Sequence, residues 1–126
     1  MNLEGAYKLV IAIFAEQMLE GKPLTIINDG EQRRDFTYVG DVVNANILAA
    51  THSERLDGEV FNIGNGDNYS VNELADMFGG EKQYGVEVLE PFLTLADNRK
   101  AELEIEWKPT GDLPVWIEKY KKELGI

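Results

Sequence analysis

Arg33 and Arg34 are the residues of this chain best suited to a defined chemistry. They stand side by side in Asn28-Asp29-Gly30-Glu31-Gln32-Arg33-Arg34-Asp35-Phe36-Thr37-Tyr38-Val39, and they are two of only four arginines in a chain of formal charge -11. A guanidinium held on a fixed backbone grips phosphate through paired, planar hydrogen bonds. In an acidic chain an anion site must be made locally, so adjacent arginines point to one. The alternative is an ordinary surface ion pair with Glu31 or Asp35, nearly neutral in energy. Other chemistries lack their parts. There is no cysteine, hence no disulfide framework and no thiolate zinc site. The single histidine, His52, builds neither a triad nor a metal site alone, and near the end of a predicted helix it has a solvated or capping role. Carboxylates are plentiful, but no nucleophile-base set accompanies them, which argues against a free-standing enzyme of unrelated chemistry.

The elements that must position the arginines follow from spacing. Leu24-Thr25-Ile26-Ile27 is a β-branched run that stops at Asp29-Gly30, and Phe36 to Val39 is another, so the pattern predicts a β-hairpin with the arginines at the start of its return strand. Dense apolar residues from Leu9 to Leu19 predict a mostly buried helix over 7–19, closed by Gly21 and Pro23. Asp41 is placed to cap a helix beginning at Val42 and reads as structural. Glu59 to Ile63 alternates as a strand into Gly64-Asn65-Gly66, a turn that fails the dinucleotide fingerprint because Tyr69 stands where its third glycine belongs. Ser70 and Glu73 form a capping box for a helix over 71–78 that Gly79-Gly80 ends. A strand is expected over 86–89 and a short helix from Asp97 through Lys100, Ala101 and Leu103. Asp112 and Pro114 open a last helix whose apolar stripe is Leu113, Trp116, Ile117, Tyr120 and Leu124.

At 126 residues, with no repeat or linker, the expectation is one domain over 1–126 of mixed α/β class, with short strands, a hairpin and about five helices. The acidic balance argues against nucleic acid and against an anionic membrane surface. No apolar stretch reaches bilayer length, and Met1-Asn2-Leu3-Glu4 is not signal-like, so a cytoplasmic protein is expected.

Several stretches together resemble a known family. Gly21 to Ile26, Asp29 to Val39, Asp41-Val42-Val43, Val60 to Gly66, Ser70 to Ala75, Leu95-Ala96-Asp97, Lys100-Ala101 and Trp107-Lys108-Pro109 are similar, in order, to the carboxyl-terminal half of nucleotide-sugar epimerases and dehydratases. These are NAD-dependent extended short-chain dehydrogenase/reductase enzymes such as UDP-glucose 4-epimerase. The resemblance implies the substrate-binding part of that fold without its Rossmann half. It places Arg34 on the diphosphate of a nucleotide sugar with Arg33 or Gln32 assisting, Thr25, Ile26 and Ile27 beside the base, Val10 against it, and Asn62 lining the pocket. NAD is implied for the complete family enzyme and no cofactor for this chain, because the glycine-rich phosphate loop is absent. The family's catalytic tyrosine has a lysine four residues on, whereas the residues four after Tyr7, Tyr38, Tyr69, Tyr84 and Tyr120 are Ile11, Val42, Glu73, Val88 and Leu124. Phe92 follows Pro91 where relatives carry a second arginine clamp, and the loop to Leu95 is short. The implied partner is a separate Rossmann-domain chain or a second copy; the alternative is a non-catalytic interaction or regulatory protein that has kept the fold.

Overall fold

The computed structural model describes residues 9–126, as α1 (Val10–Leu19), β1 (Leu24–Ile27), β2 (Arg33–Arg34), α2 (Val39–Ala50), β3 (Tyr69–Ser70), α3 (Val71–Phe78), β4 (Lys82–Val86), α4 (Arg99–Ile105) and α5 (Leu113–Leu124). Small mixed α/β architecture with five helices and short strands is what the spacing predicts. The expected helix over 7–19 begins at Val10, its first two positions lying outside the described residues. The chain forms two compact units, one from the described residues through Arg33 with Ser70–Phe92 and Pro114–Ile126, the other from Arg34–Tyr69 with Leu93–Leu113.

In the first unit Phe14, Leu24, Ile26, Leu74, Phe78 and Ile117 are fully buried, and Phe14 meets Phe78 edge to face at 5.8 Å. The capping box forms as expected: Glu73 N donates to Ser70 Oγ at 3.0 Å and Ser70 N to Glu73 Oε2 at 2.7 Å, before Gly79 closes α3 at φ 79°. The hairpin does not form. β1 instead pairs in parallel with β4, Leu24 opposite Lys82, Thr25 opposite Gln83 and Ile27 opposite Val86. A two-residue hairpin turn of the Asp-Gly kind needs adjacent central residues at positive φ. Here positive φ falls on Asn28 (55°) and Gly30 (76°) with Asp29 between them, so the chain turns away from β1. Phe36 to Tyr38 lie outside any strand, and Val39 already begins α2. The strand expected over 86–89 lies at 82–86, because the Asn28 side chain takes both backbone groups of Val88, donating to its carbonyl (2.9 Å) and accepting from its N–H (3.0 Å).

The second unit packs Ala45, Ala101, Ile105 and Trp107 into a core, with Leu48, Leu56, Phe61 and Ile63 against it. Phe61 and Ile63 point inward as a strand would direct them, but Glu59 to Ile63 joins no ladder, a departure from expectation. Asp41 is structural, though not as the cap: Tyr38 holds that position, and Asp41 sits within the first turn of α2, 3% exposed. Its carboxylate accepts from Thr110 N (3.0 Å), Thr110 Oγ1 (2.6 Å) and Gly111 N (2.8 Å), while its carbonyl accepts from Trp107 Nε1 (2.9 Å). His52 takes the capping role, donating from Nε2 to the Glu104 carbonyl in the last turn of α4 at 2.9 Å.

Burial alone would raise the Asp41 pKa, but the bonds from Thr110 and Gly111 outweigh it and hold the carboxyl below the ordinary aspartate value. A depressed folded pKa contributes stability that is complete above the unfolded pKa of about 3.9 and is lost as pH falls through the lower folded value. Asp41→Ala therefore lowers stability at pH 7 by about 2–3 kcal/mol and flattens the acid limb below about pH 4, measured by urea unfolding at neutral and acid pH.

Candidate functional site

The backbone of β1 has two edges. Leu24 N donates to Glu81 O (2.7 Å) and Asn28 N to Val86 O (2.7 Å), so alternate residues 24, 26 and 28 face β4. The backbone of Thr25 and Ile27 lies on the other edge, where side chains meet it. Gln17, on the polar side of α1, accepts from Thr25 N (3.0 Å) and donates to Thr25 Oγ1 (2.8 Å). Gln32 donates from Nε2 to Ile27 O (2.9 Å), the carbonyl that also accepts from Gly30 N (3.2 Å). The two amides thus close the ends of this edge and leave the Thr25 carbonyl and the Ile27 N–H between them.

The turn that carries the chain from β1 to the arginines is fixed by α3. Asn72 N donates to Gly30 O (3.0 Å), and Asn72 Nδ2 donates to Asp29 O (3.0 Å) and Glu31 Oε1 (2.6 Å). Tyr84 Oη donates back to Asn72 Oδ1 at 2.8 Å. Beyond the turn, the Arg33 guanidinium lies 3.1 Å from Glu73 Oε2, the same oxygen that closes the capping box. Arg33 therefore has an ion pair with Glu73. Arg34 is the second residue of β2 and is half-buried.

In the second unit Asp35 gathers two loops. Its carboxylate accepts from Asn65 N (2.8 Å), Gly66 N (3.0 Å) and Ala96 N (3.1 Å), and its own N–H donates to Thr94 Oγ1 (3.1 Å). A Cβ on Gly64 would overlap Ala96, and one on Gly66 would press on Asn98, whose amide donates to Gly64 O at 3.0 Å. The Gly64-Asn65-Gly66 turn thus uses its glycines for close packing within this chain. Among the described residues no three His, Cys, Asp or Glu side chains gather as a metal site, and no helix is long and apolar enough to cross a membrane.

Of the predicted site residues, Thr25, Ile27 and Gln32 meet at one strand edge of the first unit. The Ile26 side chain is fully buried, and its backbone lies on the β4 side of β1. Gln32 is 3% exposed, and its Nε2 donates to Ile27 O. Val10 is half-buried in the first turn of α1. Arg34 and the exposed Asn62 belong to the second unit. Sequence reasoning missed Gln17, Asn72 and Asp35 as organising residues. For Asp35 a signal existed, an acidic residue next to arginine with no matching basic neighbour on its far side; for the two amides there was none.

A sequence model of the NAD dependent epimerase/dehydratase family matches residues 1–64. The chain is 38% identical over 117 residues to a putative UDP-glucose 4-epimerase of Methanocaldococcus jannaschii, covering 87% of this chain and 37% of that protein. It superimposes on UDP-glucuronic acid 4-epimerase of Bacillus cereus, solved with UDP-glucuronic acid and NAD, at TM-score 0.83 and 34% identity, over 93% of this chain and 40% of that one. On UDP-glucose 4-epimerase of Thermotoga maritima, solved with UDP-glucose, the TM-score is 0.80 at 34% identity, over 98% and 42%. The chain therefore spans about two fifths of the length of these relatives.

The rigidity of the turn can be tested directly. Gly30 has φ 76°, and a Cβ there would overlap the Asn72 amide, which three hydrogen bonds hold in place. Gly30→Ala is expected to lower stability by about 1–3 kcal/mol in denaturant unfolding, whereas Gly21→Ala, also at positive φ but in open space, costs less.

Proposed function

Because the chain belongs to the NAD dependent epimerase/dehydratase family, we propose that it is the UDP-sugar-binding part of such an enzyme and acts together with a cofactor-binding half. The observation that carries this reading is the outer edge of β1, where Gln17 meets Thr25 and Gln32 meets Ile27, with the Thr25 carbonyl and the Ile27 N–H between them. A strand edge offers a carbonyl acceptor and an N–H donor, the groups a uracil edge pairs with. Thr25 and Ile27 supply them, and the half-buried side chain of Ile27 gives the base an aliphatic surface. Arg34 is assigned the diphosphate, since Arg33 is paired with Glu73. Bound NAD supplies hydride transfer in such an enzyme. This chain binds and orients the sugar nucleotide.

The solved relatives from Bacillus cereus and Thermotoga maritima hold UDP-sugars, which supports the ligand class. Losing a charge-assisted clamp on a diphosphate costs roughly 1.5–3 kcal/mol, or about ten- to more than a hundredfold in affinity. In calorimetric titration with UDP-glucose, Arg34→Glu is expected to lose at least that factor, while Arg33→Ala loses less than about threefold and NAD alone gives no saturable heat. Unchanged UDP-glucose affinity in Arg34→Glu would overturn the assignment.

A further inference from the structure

Between β1 and the arginines the chain runs through residues 28–32, which belong to no helix or strand. Asn28 sits there at φ 55°, a left-handed conformation that a residue with a side chain keeps only where its surroundings over-determine it. Those surroundings come from two elements of the first unit. The segment after β4 holds Asn28 through both backbone groups of Val88, and α3 holds the next three residues through Asn72. The Asn72 backbone N–H donates to Gly30 O, while its side-chain nitrogen gives one N–H to Asp29 O and the other to Glu31 Oε1. Gly30 N donates in turn to Ile27 O, which ties the turn to the edge of β1.

Only one orientation of the Asn72 amide suits these partners. Both groups that it meets in the turn, the Asp29 carbonyl and the Glu31 carboxylate, are acceptors, so the amide nitrogen must face them and the amide oxygen must face away. Tyr84 of β4 fixes that choice, its hydroxyl donating to Asn72 Oδ1 at 2.8 Å. A flipped amide would set three oxygens together with no donor among them. We propose, on the UDP-sugar reading above, that Asn72 and Tyr84 are positioning residues for sugar-nucleotide binding. Through the amide orientation they hold the turn that follows Ile27, so the edge of β1 offered to the base is set before the ligand arrives. Preorganisation of this kind shows in affinity, because a loose turn has to be ordered at the moment of binding.

The test compares Asn72→Asp, Asn72→Asp combined with Glu31→Gln, and Tyr84→Phe, by calorimetric titration with UDP-glucose and by hydrogen exchange of the Gly30 amide without ligand. Asn72→Asp keeps the shape of the side chain and sets a carboxylate against Glu31. Affinity is expected to fall at least about fivefold, and Gly30 exchange to quicken by a similar factor. Adding Glu31→Gln returns a donor to the pair and restores the net charge, so both readouts recover most of the loss. Tyr84→Phe leaves the amide free to turn and is expected to lose about two- to threefold in affinity. A merely structural role would lower unfolding stability and leave the affinity of the folded protein unmoved. Wild-type affinity in Asn72→Asp overturns the proposal, as does a double variant no better than the single one. If Asn72→Asp does not fold, Tyr84→Phe decides, and unchanged affinity with unchanged Gly30 exchange overturns the proposal. Wild-type protein that gives no UDP-glucose heat overturns the UDP-sugar reading and the proposal with it, whereas wild-type heat that no variant alters overturns the proposal alone.

Discussion

A strand has two edges, and every backbone group along them needs a hydrogen-bond partner. Among the described residues the strands are two to five residues long, and the parallel ladder between β1 and β4 pairs one edge of each. Side-chain amides take over much of the remainder. Gln17 meets Thr25, Gln32 meets Ile27, Asn28 meets Val88, and Asn72 meets the turn at Asp29 and Gly30. Each is a primary amide with a donor and an acceptor, so it can stand in for a missing length of strand. What the first unit lacks in sheet among the described residues it supplies from helices and turns.

The second unit meets the same requirement with carboxylates. Asp35 and Asp41 collect loop amides that no ladder could reach, Asp35 from residues 65, 66 and 96, Asp41 from residues 110 and 111. A carboxylate accepting several N–H groups is stronger than a neutral acceptor, which suits loops that must close without strand pairing. It also gives some of the chain's acidity an internal use. Asp41 is buried, and Glu73 closes a cap while pairing with Arg33, so part of the formal charge is absorbed in structure.

This division explains what the sequence made legible. Features decided within a few residues were readable: the Ser70 to Glu73 box, the glycine stop at Gly79, and the stripe of α5 in which Leu113, Ile117 and Tyr120 are buried. Features decided by a distant partner were not. The β-branched run at Leu24 to Ile27 announced a strand, but its partner lay more than fifty residues on, and nothing local distinguished Lys82–Val86 from Phe36 to Val39. Glu59 to Ile63 shows the opposite error, a correct alternation that joins no ladder among the described residues. At the candidate site the residue types were readable and their partners were not. Adjacent arginines look equivalent in sequence, and only the Glu73 pair separates them.

Recognition through a strand edge has a consequence for which residues matter. The groups offered by Thr25 and Ile27 are backbone groups, so the side chains there can vary so long as β1 stays registered against β4. The stricter demands fall on residues that touch only the protein: Gln17 and Gln32, which close the ends of the edge, and Asn72, which fixes the turn between β1 and the arginines. Loss of any of these would move the backbone rather than remove a contact. Ligand affinity would then depend on side chains that never meet the ligand.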